Sequence, residues 1–238
     1  YQSKPVEVSL GAVSTAPREH LVHYIVADHT LIRDEDLAHY REQVLWLPDS
    51  YQVNDGERRI AEQAFTRAEC GLPEAGFVFC CFNNGYKILP ATFDVWMRIL
   101  RRVPGSVLWL LEDNAAAARS LRAEAAARGV DPGRLVFAGR LPLPEHLARH
   151  RAADLFLDTW PYNAHTTASD ALWAGLPLLT RSGRSFASRV GASLLQAVGL
   201  PELVTDAEED YEELAVAVAQ DRGRLAALKD RLAANRLS

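Results

Sequence analysis

Asp158-Thr159-Trp160-Pro161-Tyr162-Asn163-Ala164-His165-Thr166-Thr167-Ala168-Ser169-Asp170-Ala171-Leu172-Trp173-Ala174-Gly175 follows the apolar run Leu155-Phe156-Leu157, which reads as a buried strand. The chain then turns through Pro161 and Asn163, and a helix is expected to open near Thr166. A helix opening just past the carboxyl end of a parallel strand presents free backbone N–H groups and the positive end of its dipole. In open α/β sheets a phosphorylated ligand docks at such a point. This turn adds an imidazole (His165), two hydroxyls (Thr166, Thr167) and, one helical turn on, a carboxylate (Asp170).

Outward from this stretch, strands and helices alternate. Residues 77–82 form a continuous apolar run, as expected of a parallel strand buried on both faces. Pro90–Arg102 places Phe93, Trp96, Ile99 and Leu100 at helical spacing. A strand is expected at 106–111, then an alanine-rich helix to Arg128 stopped by Gly129. A strand over 135–138 and a short helix over 144–151 with Pro144 in its first turn come next. Strands at 155–158 and 176–180 flank the helix near Thr166, and 181–185 reads as a loop. Helices over 186–198, 208–220 and 224–235 complete the pattern. Repeated βα units imply a Rossmann-like, doubly wound parallel sheet spanning 71–238.

Residues 1–70 read differently. Residues 21–27 look like a strand, and Asp34-Glu35-Asp36 caps a helix expected to run to about Val44. A short extended piece is expected at 45–47, before Pro48. After Asp55 the chain is charged and nonperiodic, until Gly71-Leu72-Pro73 marks a boundary. One strand and one helix make no independent domain, so this segment is expected to lean on something else.

The composition is that of an ordinary globular protein, 48% apolar and 24% charged. A net charge of −5 argues against nonspecific nucleic-acid binding. No apolar run approaches the ~20 residues that span a bilayer, and no signal peptide is visible. Cys80 and Cys81, as strand neighbours, point to opposite faces and are not expected to bridge; with Cys70 they read as buried, reduced cysteines of a cytoplasmic protein. The chain starts at Tyr1 and its sole methionine is Met97, so it reads as a piece of something longer.

Four groups of residues carry chemistry. In Phe82-Asn83-Asn84-Gly85-Tyr86-Lys87, at a strand's carboxyl end, Lys87 is placed to meet an anion; a solvated turn lysine is the plain alternative. No G-x-G-x-x-G occurs there, which argues against a nicotinamide or flavin enzyme. His146 and Arg149 share a helix face and are placed to contact a base, unless they are merely surface neighbours. His165, Thr166 and Thr167 suit a diphosphate and Asp170 suits ribose hydroxyls, the alternative being an N-cap and a turn residue. Arg184, Ser185 and Ser188 are a lesser group that an ordinary helix cap accounts for. Two metal-like patterns are set aside: Asp34-Glu35-Asp36 as a cap, and His20 with His23 for want of a third ligand.

Taken in order, these motifs make the chain resemble the carboxyl-terminal catalytic lobe of the protein O-GlcNAc transferases, glycosyltransferase family 41, in a bacterial-type form. The matching segments are Phe82-Asn83-Asn84-Gly85-Tyr86-Lys87, Arg102-Val103-Pro104-Gly105-Ser106-Val107-Leu108-Trp109-Leu110-Leu111, Leu157-Asp158-Thr159, His165-Thr166-Thr167, Asp170-Ala171-Leu172-Trp173-Ala174-Gly175 and Ser188-Arg189-Val190. The resemblance implies a GT-B architecture. Residues 71–238 would then be the UDP-sugar-binding lobe, and 1–70 the last part of the first catalytic lobe with a linker. It further implies that Lys87 assists departure of the diphosphate, with Asn84 in place of the usual glutamine beside it. His165, Thr166 and Thr167 would hold the diphosphate and sugar, Asp170 the ribose, and His146 and Arg149 the uridine. Leu143 stands where animal members carry a lysine on the uridine side.

Family members are inverting enzymes that work without metal or cofactor and attach a single sugar, GlcNAc from UDP-GlcNAc, to Ser or Thr of proteins. Tetratricopeptide repeats outside this chain would bring the protein acceptor. Relatives using GDP-fucose, or glucosylating asparagine, leave the donor sugar open. A noncatalytic nucleotide-sugar-binding or sensor module is the alternative of a different class, and retention of Lys87 counts against it.

Overall fold

The computed structural model describes residues 8–9 and 23–236. Its first segment contains three parallel strands, β1 (Val8–Ser9), β2 (Tyr24–Ala27) and β3 (Gln43–Trp46), in the order β1-β2-β3. The strand of this segment therefore has partners on both sides, contrary to the expectation of a lone strand. The helix expected to run to Val44 is a 3-10 helix over Asp34–His39. Backbone from Tyr40 onward is extended, because β3 has to pair with β2 from Tyr24↔Gln43 onward. Residues 21 and 22 of the expected strand, and His20, lie outside the described residues.

From residue 78 the alternation is as read. β4 (Val78–Cys81), α1 (Pro90–Arg102), β5 (Val107–Leu111), α2 (Ala115–Ala127), β6 (Leu135–Ala138), α3 (Leu143–Arg149) and β7 (Leu155–Leu157) follow in turn. α4 (Thr166–Trp173), β8 (Leu178–Arg181), α5 (Val190–Ala197), β9 (Val204–Thr205), α6 (Glu208–Gln220) and α7 (Arg222–Asn235) complete the chain. The expected helix over 186–198 is divided at Arg189, a 3-10 turn over Phe186–Ser188 preceding α5. The six strands form one parallel sheet, ordered β6-β5-β4-β7-β8-β9. Chain order reverses between β4 and β7, which is the switch point where open α/β sheets bind ligands.

Burial on both faces explains the unbroken apolar strands. Every residue of β4 and β7 is buried, and Phe93, Trp96, Ile99 and Leu100 of α1 lie in the same core. All three cysteines are free thiols, Cys80 and Cys81 buried and Cys70 only half-buried.

The first segment docks on the sheet domain through buried polar contacts. Asp28 accepts from Ser193 Oγ at 2.7 Å, and Arg189 donates to Asp36 at 2.5 Å and to the Leu31 carbonyl at 3.1 Å. Arg189 is itself 3% exposed, whereas the Asp36 side chain is a quarter exposed, so the anchor is buried on the guanidinium side. Asp36 is thereby committed to a guanidinium. Among the described residues no three His, Cys, Asp or Glu side chains converge, and no helix is long and apolar enough to cross a membrane.

Candidate functional site

Two loops leave the sheet at the switch point, 82–89 after β4 and 158–165 after β7. Asp158 anchors the second. It is fully buried and accepts from its neighbour Thr159 N at 2.8 Å, Ala164 N at 2.6 Å and Thr180 Oγ1 at 2.6 Å. Its carbonyl takes the Tyr211 hydroxyl proton at 3.0 Å, and Thr92 donates to the Trp160 carbonyl at 3.0 Å. Asn163 Nδ2 closes the turn on Thr159 O at 2.8 Å. The loop is therefore fixed before any ligand arrives.

Asn83 joins the two loops. Its amide donates to Thr159 Oγ1 at 2.8 Å, and its carbonyl oxygen accepts from Thr167 Oγ1. Lys87 lies beside this bridge. Its ammonium donates to Asn163 O at 2.8 Å and sits 4.0 Å from the centroid of the Tyr162 ring. Among the described residues it forms no ion pair. Burial lowers its pKa, and the nearby Asp158 opposes that shift. An anion arriving here would relieve the desolvation of the ammonium.

α4 opens at this point. The amides of Thr166, Thr167 and Ala168 have no intrahelical acceptor in its first turn, whereas Ser169 N donates to His165 O at 3.0 Å. The His165 ring stacks on Tyr162 with centroids 5.0 Å apart and an interplanar angle of 14°. Its Nε2 faces the Ala187 carbonyl at 3.5 Å, and its Nδ1 the Tyr51 hydroxyl at 3.3 Å. A carbonyl only accepts, so Nε2 carries the proton and Nδ1 accepts from Tyr51. Burial first, and then Lys87, push the His165 pKa down to about 4, so the ring is neutral at physiological pH.

The remaining expected residues fall into two places. Asn84 is exposed and accepts from Arg140 at a long 3.5 Å. His146 and Arg149 lie at the neighbouring strand ends, and Arg149 is no surface residue, being 3% exposed. It donates to the Gly139 carbonyl at 2.6 Å and to His146 Nδ1 at 2.7 Å, with its guanidinium 4.5 Å from the Phe82 ring centroid. It therefore orients the His146 ring, which is only partly buried. Leu143 is 47% exposed at the start of α3. Asp170 is buried and its Oδ1 is taken by Arg58 at 2.5 Å. Ser185 and Ser188 form a capping box and are used up as a cap.

Tyr51, Arg58, Asn83 and Asp158 were not among the expected site residues. Tyr51 and Arg58 stand more than a hundred positions from their partners, so no local spacing could flag them. Asn83 and Asp158 are polar groups at the ends of apolar strands, a signal that was present in the sequence.

The buried His150 and the half-buried His146 and His165 affect acid stability. Burial lowers His146 to about 4, His150 to about 3 and His165 to about 4. Below their unfolded value of 6.5 the unfolded chain takes up protons that the folded chain does not. Stability from these groups is thus present above that pH and lost as pH falls toward 4. Asp158, raised by burial to about 7, and Asp170, also raised by burial, run the other way. With three imidazoles against two carboxyls, stability should fall by on the order of a few kcal/mol between pH 7 and pH 5. Urea unfolding at the two values measures this, and an equal or higher midpoint at pH 5 contradicts it.

A family model described as Glycosyl transferase family 41 matches residues 56–238. The chain is 38% identical over 244 residues to a protein of Arabidopsis thaliana named probable UDP-N-acetylglucosamine–peptide N-acetylglucosaminyltransferase SEC, covering all of this chain and 25% of that protein. It is 43% identical over 164 residues to the UDP-N-acetylglucosamine–peptide N-acetylglucosaminyltransferase of Caenorhabditis elegans, covering 69% of this chain and 14% of that one. Among solved structures, a mutant O-GlcNAc transferase of Thermobaculum terrenum superposes with a TM-score of 0.78 at 31% identity, over 90% of this chain and 40% of that one. Anabaena HepE, solved with UDP and glucose, shares the fold with a TM-score of 0.62 at 14% identity, over 91% of this chain and 59% of that one. The chain spans a quarter or less of the length of these two curated relatives.

Proposed function

The chain belongs to glycosyltransferase family 41, and we propose that it supplies the nucleotide-sugar-binding lobe of an inverting, metal-independent transferase that moves one GlcNAc from UDP-GlcNAc to Ser or Thr of a protein. The observation that carries this reading is the placement of Lys87 at the switch point. Its ammonium is held against a carbonyl and a ring, with no ion pair among the described residues, beside the open end of α4. A fixed cation beside the free amides of a helix start stabilises charge that grows on a departing diphosphate. That work needs no divalent ion.

In this reading His165, Thr166 and Thr167 meet the diphosphate and sugar, and Asp170 the ribose. His146 faces the base with Arg149 fixing its ring, and Asn84 lies at the rim. Residues 1–70 close the preceding lobe, and the acceptor surface lies in parts of the protein outside this chain. The relatives named for UDP-N-acetylglucosamine support the donor.

Product analysis tests the reading. The full-length protein, given UDP-GlcNAc, excess chelator and a Ser/Thr peptide, should yield peptide carrying one β-linked N-acetylhexosamine, because inversion turns the α-linked donor over. An α-linked product, transfer only with added metal, or transfer only from a different nucleotide sugar would overturn it.

A further inference from the structure

Arg58 belongs to the charged, nonperiodic stretch before the sheet domain, yet its guanidinium is built into the side of α4. Nη1 donates to Asp170 Oδ1 at 2.5 Å and Nη2 to Ser169 Oγ at 3.2 Å. Nε donates to the Asp55 carbonyl at 3.2 Å, and the guanidinium lies 5.3 Å from the centroid of the Trp173 ring. Trp173 Nε1 holds the Arg58 carbonyl at 3.2 Å, and the Ser169 hydroxyl donates onward to Asn54 Oδ1 at 2.7 Å. The side chains of Arg58 and Asp170 are only 10% and 8% exposed. This is a shielded ion pair fixed on several sides, unlike the surface pairs whose net contribution is small.

The geometry occupies one carboxylate oxygen and leaves the other. Among the described residues no donor reaches Asp170 Oδ2. A buried carboxylate without a counter-charge tends to take up a proton and lose acceptor capacity, and burial pulls Asp170 that way while Arg58 opposes it. We propose that Arg58 is a positioning residue for the donor site, holding Asp170 charged and in one orientation so that its second oxygen accepts from the ribose hydroxyls. The proposal rests on the nucleotide-sugar reading of the site and on Asp170 as its ribose contact. It differs from a latch, in which Arg58 would compete with ribose for the carboxylate. It differs also from a staple that merely joins residues 1–70 to the sheet domain.

The test compares UDP with 2′,3′-dideoxy-UDP on the full-length protein by calorimetry. The ratio of the two affinities is internal to each sample, so a partly unfolded variant does not distort it. The unsubstituted protein should prefer UDP by roughly tenfold or more, the scale of hydrogen bonds to a charged acceptor. Arg58→Ala should bring that preference to within about twofold, and Arg58→Lys, which keeps the charge, should recover part of it. In an Asp170→Asn background the further change Arg58→Ala should leave the ratio where it is, because the two act as one unit. A preference that survives Arg58→Ala, or UDP binding that tightens in it, overturns the proposal while the nucleotide-sugar reading stands. An unsubstituted protein that binds neither nucleotide overturns that reading and the proposal together.

Discussion

Lys87→Ala should lower turnover of the full-length protein by roughly 10²-fold or more, the scale seen when a preorganised donor to a developing anion is removed. The loss in UDP affinity should be much smaller. In the proposed binding mode the ground-state diphosphate would also have the first-turn amides of α4 and the Thr166 hydroxyl, the Thr167 hydroxyl proton being held by Asn83. Charge on the leaving oxygen grows only as the glycosidic bond breaks, so the ammonium contributes most in the transition state. Burial already penalises the charged lysine, and an anion close by offsets that penalty more as its charge increases. Steady-state kinetics beside UDP titrations separate the two effects. Equal losses in UDP affinity and kcat/KM with kcat unchanged would make Lys87 a binding residue only.

Gly191→Ala should destabilise the fold by roughly 3 kcal/mol or more and lower Tm by about ten degrees. Helix propensity alone forecasts the opposite sign, since alanine is favoured over glycine by about 1 kcal/mol in a helix interior. Gly191 is the second residue of α5, but a Cβ there would lie 2.5 Å from Thr180 Oγ1 and 2.7 Å from Asp158 Oδ2. Those two atoms make the hydrogen bond that anchors the 158–165 loop. Room for a methyl exists only if that buried bond opens and a carboxyl oxygen loses its donor. Calorimetric melting of the variant decides between the effects, and a Tm equal to or above that of the unsubstituted protein would show that the anchor yields without cost.

The parts of the fold that were legible in the sequence are those with strong local signals. The apolar runs of β4 and β7 are short, unbroken and set among βα alternation, as strands buried on both faces are, and α1 shows its buried residues at helical spacing. The first segment was harder to read because its signals are weak. β3 is largely exposed and lacks a clear apolar face, while three acidic residues in a row read as the start of a longer helix than the 3-10 turn that forms. The geometry before β3, not propensity, sets where that turn stops.

That Lys87, His165, Thr166 and Thr167 come together at the switch point was legible, because they lie just beyond the ends of β4 and β7. The surroundings of Asp170 and Arg149 were only partly legible. Each already has a partner: Asp170 is paired with Arg58, and Arg149 is packed against Phe82 and bonded to Gly139. Such pairings depend on how the 51–58 segment and the β4 loop pack, which residue spacing does not encode.

The central claim is that the switch point between β4 and β7 holds a nucleoside diphosphate with protein groups alone. Calorimetric titration of the chain with UDP, first in excess chelator and then with manganese added, tests it most directly. Saturable binding of the same affinity in both conditions is the predicted result; binding absent with chelator and restored by manganese would contradict it.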